Sequence, residues 1–222
     1  RPADAVSARG KAGDAGKGVS LMRRARLLIY AKPPRMGLAK TRLAAGMGRT
    51  EARRIAHFTL ARTMRAAAAS GLDVSLYLSP DRALGETLGG LLPPHLPRVS
   101  QGPGTLTEKL TKGLADSPNG PVMFIGTDAP DISPALLLRA ERLLSRNDAI
   151  FGPATDGGFW LFGLNKRPGL PPMFENVRWS GPHAMADLRK NLPSGFRVAL
   201  LPTLQDVDTK EDWKIWSADN LC

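Results

Sequence analysis

Four short segments of this chain concentrate the residue types that hold phosphates and divalent cations. The first reads Ala31-Lys-Pro-Pro-Arg-Met-Gly-Leu-Ala-Lys-Thr-Arg-Leu43 and places Lys32, Arg35, Lys40 and Arg42 within eleven residues. A diphosphate needs several donors fixed on one side, and guanidinium forks suit phosphate oxygens. Gly37 and the paired prolines shape the backbone of such a loop. A solvated basic loop is the competing explanation, and the run lacks the Gly-x-x-x-x-Gly-Lys-Ser/Thr pattern of a P-loop. The second segment, Ile125-Gly-Thr-Asp-Ala-Pro-Asp131, puts Asp128 just past an apolar run. A carboxylate there needs a metal, a cation or a helix end, and Mg²⁺ and Mn²⁺ favour carboxylate oxygens. Asp131 precedes Ser133-Pro134 and is explained as well by capping the next turn.

The third segment, Gly152-Pro-Ala-Thr-Asp-Gly-Gly158, offers Asp156 and a glycine pair, Gly157 and Gly158, that lets backbone approach a ligand. Asp-Gly is equally the commonest hairpin signal. The fourth, Gln205-Asp-Val-Asp-Thr-Lys-Glu-Asp212, contains Asp206 and Asp208. Their side chains are expected to diverge, so that one enters a site and the other does not easily join it. Asp208 is the expected member, and Asp212 is accounted for by capping a helix that starts at Thr209.

The elements that must position these segments are legible from periodicity and punctuation. Short apolar runs at 27–31, 74–78, 122–125, 149–152 and 159–163 read as strands, with weaker ones at 98–101 and 196–201. The fully apolar run 122–125 belongs at the centre of a sheet. Helices are expected over 50–69, 81–92, 107–115, 133–144 and 180–192 and from Thr209 onward. Gly71 stops the first, and Ser133 followed by Pro134 starts the fourth. Strands alternating with helices predict an α/β domain with a mostly parallel sheet covered on both faces. Ligands then bind at the carboxyl ends of the strands, where the first three segments fall.

Composition narrows the function classes. The chain has 222 residues, 42% hydrophobic and 23% charged, an ordinary globular mix. No apolar run is long enough to span a bilayer. The single cysteine, Cys222, can form neither an internal disulfide nor a zinc site, which points to the cytoplasm. His57, His95 and His183 lack metal-ligand spacing. Of the net charge of +11, residues 1–26 supply +5. Residues 1–20 are poor in large apolar side chains and read as a disordered leader, giving boundaries of 1–22 for the leader and 23–222 for the domain. With the charge confined to a leader and one loop, and aromatics at 6%, a nucleic-acid-binding surface is not expected. Neither nucleic acid nor membrane is an expected partner.

In order and spacing, the segments at 31–43, 126–130, 152–158, 179–180 (Trp-Ser) and 206–209 resemble a bacterial family of GT-A glycosyltransferases, some of the arsenosugar-biosynthesis type. The resemblance covers residues 27–213. It implies a three-layer GT-A domain of the nucleotide-diphospho-sugar transferase type. It also implies a transferase acting on a nucleotide sugar and a small acceptor, with Asp128 at the superfamily's metal position. Lys32, Arg35, Lys40, Arg42, Gly157 and Gly158 would face the nucleotide. Asp128 and Asp208 would hold Mg²⁺ or Mn²⁺, and Asp156 would act with Asp128 in catalysis. A Lys-Thr-Arg-Leu loop also resembles a guanylyltransferase that activates phospholactate, so nucleotidylyl transfer from a nucleoside triphosphate is the alternative. Asp128-Ala-Pro-Asp131 stands where typical sugar-nucleotide transferases carry Asp-x-Asp, and the Gly-x-Gly-x-Arg loop of many sugar nucleotidyltransferases is missing.

Overall fold

A computed structural model describes residues 24–36 and 40–220, so the expected leader lies outside the described residues, as does Gly37. Seven strands form one sheet: β1 (Arg26–Ala31), β2 (Asp73–Leu78), β3 (Arg98–Ser100), β4 (Gly120–Ile125), β5 (Ala149–Pro153), β6 (Phe159–Lys166) and β7 (Val198–Leu200). Their spatial order is β3-β2-β1-β4-β6-β5-β7, with β4 at the centre. Every pairing is parallel except those of β6, which runs antiparallel to β4 and β5.

Among the described residues, six α-helices accompany these strands: α1 (Thr41–Met47), α2 (Arg49–Ser70), α3 (Leu106–Asp116), α4 (Pro134–Leu144), α5 (Ala184–Lys190) and α6 (Lys210–Asn220). The period-2 alternation of β1 divides the core into two layers. Leu27, Ile29 and Ala31 pack with Leu60 and Met64 of α2 and Leu137 and Ala140 of α4. Leu28 faces the other way, with Leu110 of α3 and Leu188 of α5. The result is a three-layer α/β fold with a mostly parallel sheet. A third cluster seals one end, where Leu43, Ile55, Val207, Trp213 and Trp216 join α1, α2, α6 and the segment after β7.

Helix ends follow local chemistry. Ser133 Oγ accepts from Leu136 N at 3.3 Å with Pro134 in the first turn. Thr105 and Glu108 form a reciprocal capping box on α3. Gly71 closes α2 in the left-handed region, φ 66°.

Three expectations about the elements are corrected. Residues 81–92 are not a helix, because only Asp81–Gly85 forms a 3₁₀ turn. Gly89 and Gly90 adopt φ of 67° and 90°, and the Arg98 guanidinium donates to the carbonyls of Leu84, Glu86 and Leu92. Those carbonyls are thereby satisfied without helical bonds. The helix expected from Ser180 starts at Ala184 instead. Ser180 has φ 61°, and Pro182 disfavours helical backbone at the residue before it. Finally, residues 41–43, expected in the basic loop, form the first turn of α1.

Candidate functional site

The strand order makes a crevice. From β1 the chain runs outward to β2 and β3, then returns to place β4 on the other side of β1. The carboxyl ends of β1 and β4 therefore diverge at a topological switch point, where open α/β sheets bind ligands. A cleft of about 820 Å³ opens there. Lys32, Lys40, Arg42, Asp128, Asp156, Gly158, Asp206 and Asp208 all line it. An apolar and aromatic wall that includes Leu106, Phe159, Trp160 and Trp179 completes it.

Lys40 is the hub of the polar side. It sits in the left-handed region, φ 56° and ψ 46°, directly before α1. Its side chain is 5% exposed. The ammonium contacts Asp128 Oδ1, lies 3.1 Å from Asp208 Oδ1 and donates to the carbonyl of Val207. Those three oxygens match the three donors of an ammonium. Burial by itself disfavours the charge, but the two carboxylates outweigh it and hold the Lys40 pKa above its ordinary value. Arg42, riding on α1, donates to Asp208 Oδ2 at 2.7 Å. A main-chain bond from Val207 N to the Asp128 carbonyl, 2.9 Å, ties the segment after β7 to the loop after β4.

Asp206 corrects the sequence expectation. Asp206 and Asp208 do not diverge, because both line the cleft while Val207 between them is fully buried in the third cluster. Residues two apart in extended backbone share a face, so the pair was readable from the alternation rule itself. Burial, then the charges of Asp156, Asp208 and Asp212, push the Asp206 pKa up to about 6. Asp212 does more than cap. Its Oδ2 accepts from Thr209 N at 2.7 Å and Asp208 N at 3.0 Å, so it also fixes the backbone that carries Asp208.

Two residues expected at the phosphate are engaged elsewhere. Arg35 pairs with Glu86 and does not line the cleft. Gly157 is absent from the lining too. It has φ +87°, and a Cβ built there would lie 2.5 Å from the Pro182 carbonyl oxygen. Its smallness serves the packing of the β5–β6 hairpin turn against residues 181–183. Replacing Gly157 with alanine is expected to cost about 1–3 kcal/mol. Urea unfolding of the two proteins measures this, and a difference below about 0.5 kcal/mol would refute the packing role.

Gly158 does face the cleft, and its N–H donates to Asp156 Oδ1 at 2.7 Å, fixing that carboxylate. Asp131 is held by Trp216 Nε1 at 2.8 Å and faces Arg62 at 3.9 Å, so it anchors α6 rather than capping a turn. In the sequence, Trp179 stands out only as part of the Trp-Ser pair. Its Nε1 donates to Thr107 Oγ1 at 2.8 Å, which sets the indole in the cleft wall. The three histidines are exposed and none lines the cleft.

The donor set can be tested for a divalent cation. Among the described residues, no group of three or more His, Cys, Asp or Glu side chains is placed to hold a metal. Two carboxylates do converge on one cation, since a single ammonium touches both Asp128 and Asp208. Such a pair fits a hard cation whose shell is completed by water and substrate phosphates. Among the described residues, no helix is long and apolar enough to cross a membrane.

The fold has counterparts among solved structures. None of the curated proteins matches the chain. A crystal structure from Desulfovibrio desulfuricans G20, provisionally named a nucleotide-diphospho-sugar transferase, superposes with a TM-score of 0.79 at 28% identity. The match covers 90% of this chain and 88% of that one. The 4-diphosphocytidyl-2C-methyl-D-erythritol synthase of Anaerococcus prevotii DSM 20548 shares the fold, with a TM-score of 0.60 at 14% identity over 90% and 99% of the two chains. Rv0371c of Mycobacterium tuberculosis H37Rv, solved in complex with manganese, does so at 0.54 and 18% identity over 87% and 97%. The fold is thus that of the nucleotide-diphospho-sugar transferase-like structures. Residues 59–181, more than half of the chain, match the family described as "Uncharacterized protein conserved in bacteria (DUF2064)", and the chain belongs to that family.

Proposed function

We propose that this protein is a metal-dependent glycosyltransferase that takes its sugar from a nucleotide diphosphate donor and passes it to a small acceptor. The observation that supports this best is the convergence of Lys40, Arg42, Asp128 and Asp208 at the switch-point crevice, with Lys32 beside them. Lys32 and Arg42 are open to the cleft and would donate to the donor's phosphate oxygens. Asp128 and Asp208 would hold Mg²⁺ or Mn²⁺. When bound, such a cation offsets the negative charge that grows on the leaving diphosphate. Asp156, held by Gly158 N, would contact the sugar or accept the acceptor's proton. Asp206 stands close enough to Asp156 for the two charges to interact. A carboxylate pair with one member raised toward neutrality is suited to taking up that proton.

A thermal-shift panel tests the reading: nucleoside di- and triphosphates and UDP-, GDP- and dTDP-sugars, each with and without Mn²⁺. A sugar nucleotide at about one hundred times its Kd is expected to stabilise the fold by about 2.7 kcal/mol, provided Mn²⁺ is present. Selective stabilisation by a nucleoside triphosphate would instead establish nucleotidylyl transfer, with pyrophosphate as leaving group. No shift with any of these compounds would overturn nucleotide use altogether.

A further inference from the structure

The Lys40 ammonium occupies the point on which the two proposed metal ligands converge. Its side chain is 5% exposed, while Asp128 is 50% exposed and opens on the cleft. We propose that Lys40 is an exchangeable counter-cation: it holds Asp128 and Asp208 together before the donor arrives, yields them to a divalent cation, and then turns its charge to the donor's phosphates. This rests on the reading of Asp128 and Asp208 as cation ligands.

Three observations carry it. First, a cation that needs both carboxylates must displace the ammonium, because Lys40 touches Asp128 Oδ1 and lies 3.1 Å from Asp208 Oδ1. Second, the pocket stays built when the lysine leaves. Val207 N holds the Asp128 carbonyl, Asp212 holds the Asp208 backbone, and Arg42 keeps Asp208 Oδ2. Third, Lys32, Arg42 and Lys40 line the same cleft, so a released Lys40 chain needs only side-chain rotation to join the other two cations. Two like charges cannot share the carboxylate pair cheaply at this separation. Metal, lysine and phosphate therefore form a coupled set. Metal binding to the free protein is weakened by the fraction of molecules in which Lys40 is seated. A diphosphate offers the ammonium a new partner and relieves that penalty, so nucleotide and metal would bind cooperatively.

The test measures Mn²⁺ binding to the full chain without nucleotide, following free Mn²⁺ by electron paramagnetic resonance, in the parent, Lys40→Met and Arg35→Met. Lys40→Met is expected to bind Mn²⁺ roughly tenfold more tightly than the parent. Arg35→Met removes an equal charge from the same segment, at a position paired with Glu86 and outside the cleft, and is expected to change affinity by less than about threefold. An unchanged or weaker affinity in Lys40→Met overturns the exchange. So does an equal gain in Arg35→Met, which would show a simple charge effect, and so does an absence of Mn²⁺ binding in all three. Lys40→Gln is the second variant should the methionine protein lack a native circular dichroism spectrum. With Mn²⁺ saturating, Lys40→Met is then expected to lose roughly tenfold in affinity for a nucleoside diphosphate, and retained affinity would overturn the hand-over to phosphate. The manganese measurement uses no nucleotide, so failure of the exchange and failure of the glycosyltransferase reading appear in separate experiments.

Discussion

Replacing Asp128 with alanine is expected to abolish the dependence of nucleotide binding on divalent cation while leaving the fold intact. In the parent, Mn²⁺ should tighten binding of the nucleotide found by thermal shift by about 10- to 100-fold. In Asp128→Ala the titration should give one affinity with and without metal, and turnover should fall on the order of a thousandfold. The magnitude follows from position. Asp128 lies three residues past the end of the central strand, half exposed, facing the crevice between β1 and β4. Its loss leaves Asp208 alone, and one carboxylate is a poor hold for a cation that must also position a phosphate. The fold should survive, because Lys40 keeps Asp208 and the Val207 carbonyl. The bond from Val207 N uses the main chain of Asp128, which alanine retains. Calorimetry decides the matter: a parent that binds equally well without metal, or a variant that keeps the full metal effect, would remove Asp128 from this role.

The second large effect concerns stability. Trp216→Ala is expected to cost about 3–5 kcal/mol, lowering Tm by roughly 10 °C. Trp216 is 2% exposed and stacks on Trp213 with ring centroids 5.5 Å apart. It also lies 5.4 Å from the Phe58 ring, and its Nε1 donates to Asp131 Oδ2 at 2.8 Å. Truncation opens a large cavity and leaves Asp131 with only the long Arg62 contact. The same cluster holds Leu43, two residues past Thr41, and Val207, between Asp206 and Asp208. Loss of its centre should therefore also weaken nucleotide binding, although Trp216 does not line the cleft. Differential scanning calorimetry with a parallel nucleotide titration checks both effects, and a Tm change under about 3 °C would show that the cluster does not hold α1, α2 and α6 together.

The amino-acid sequence by itself determined the strands and most helices of this protein. Apolar runs as short as 27–31 and 122–125 bury side chains on both faces of a covered sheet, and Gly71, Ser133 and Pro134 mark helix ends through local chemistry. It also determined which loops face the crevice, because strand–helix alternation dictates a mostly parallel sheet whose carboxyl ends lie together. Residues 81–92 do not form the expected helix because Gly89 and Gly90 within them adopt positive φ. The tertiary structure alone decided the pairings within the site. Lys40 reaches Asp208 across 168 positions in the chain, and Arg35 turns away to Glu86. Gly157 spends its freedom on Pro182. Such contacts depend on which strands are neighbours and in what register. β1, which starts at Arg26, lies beside β4, which starts at Gly120, with Arg26 paired to Val122, and that neighbourhood is what brings the buried Lys40 ammonium to Asp128.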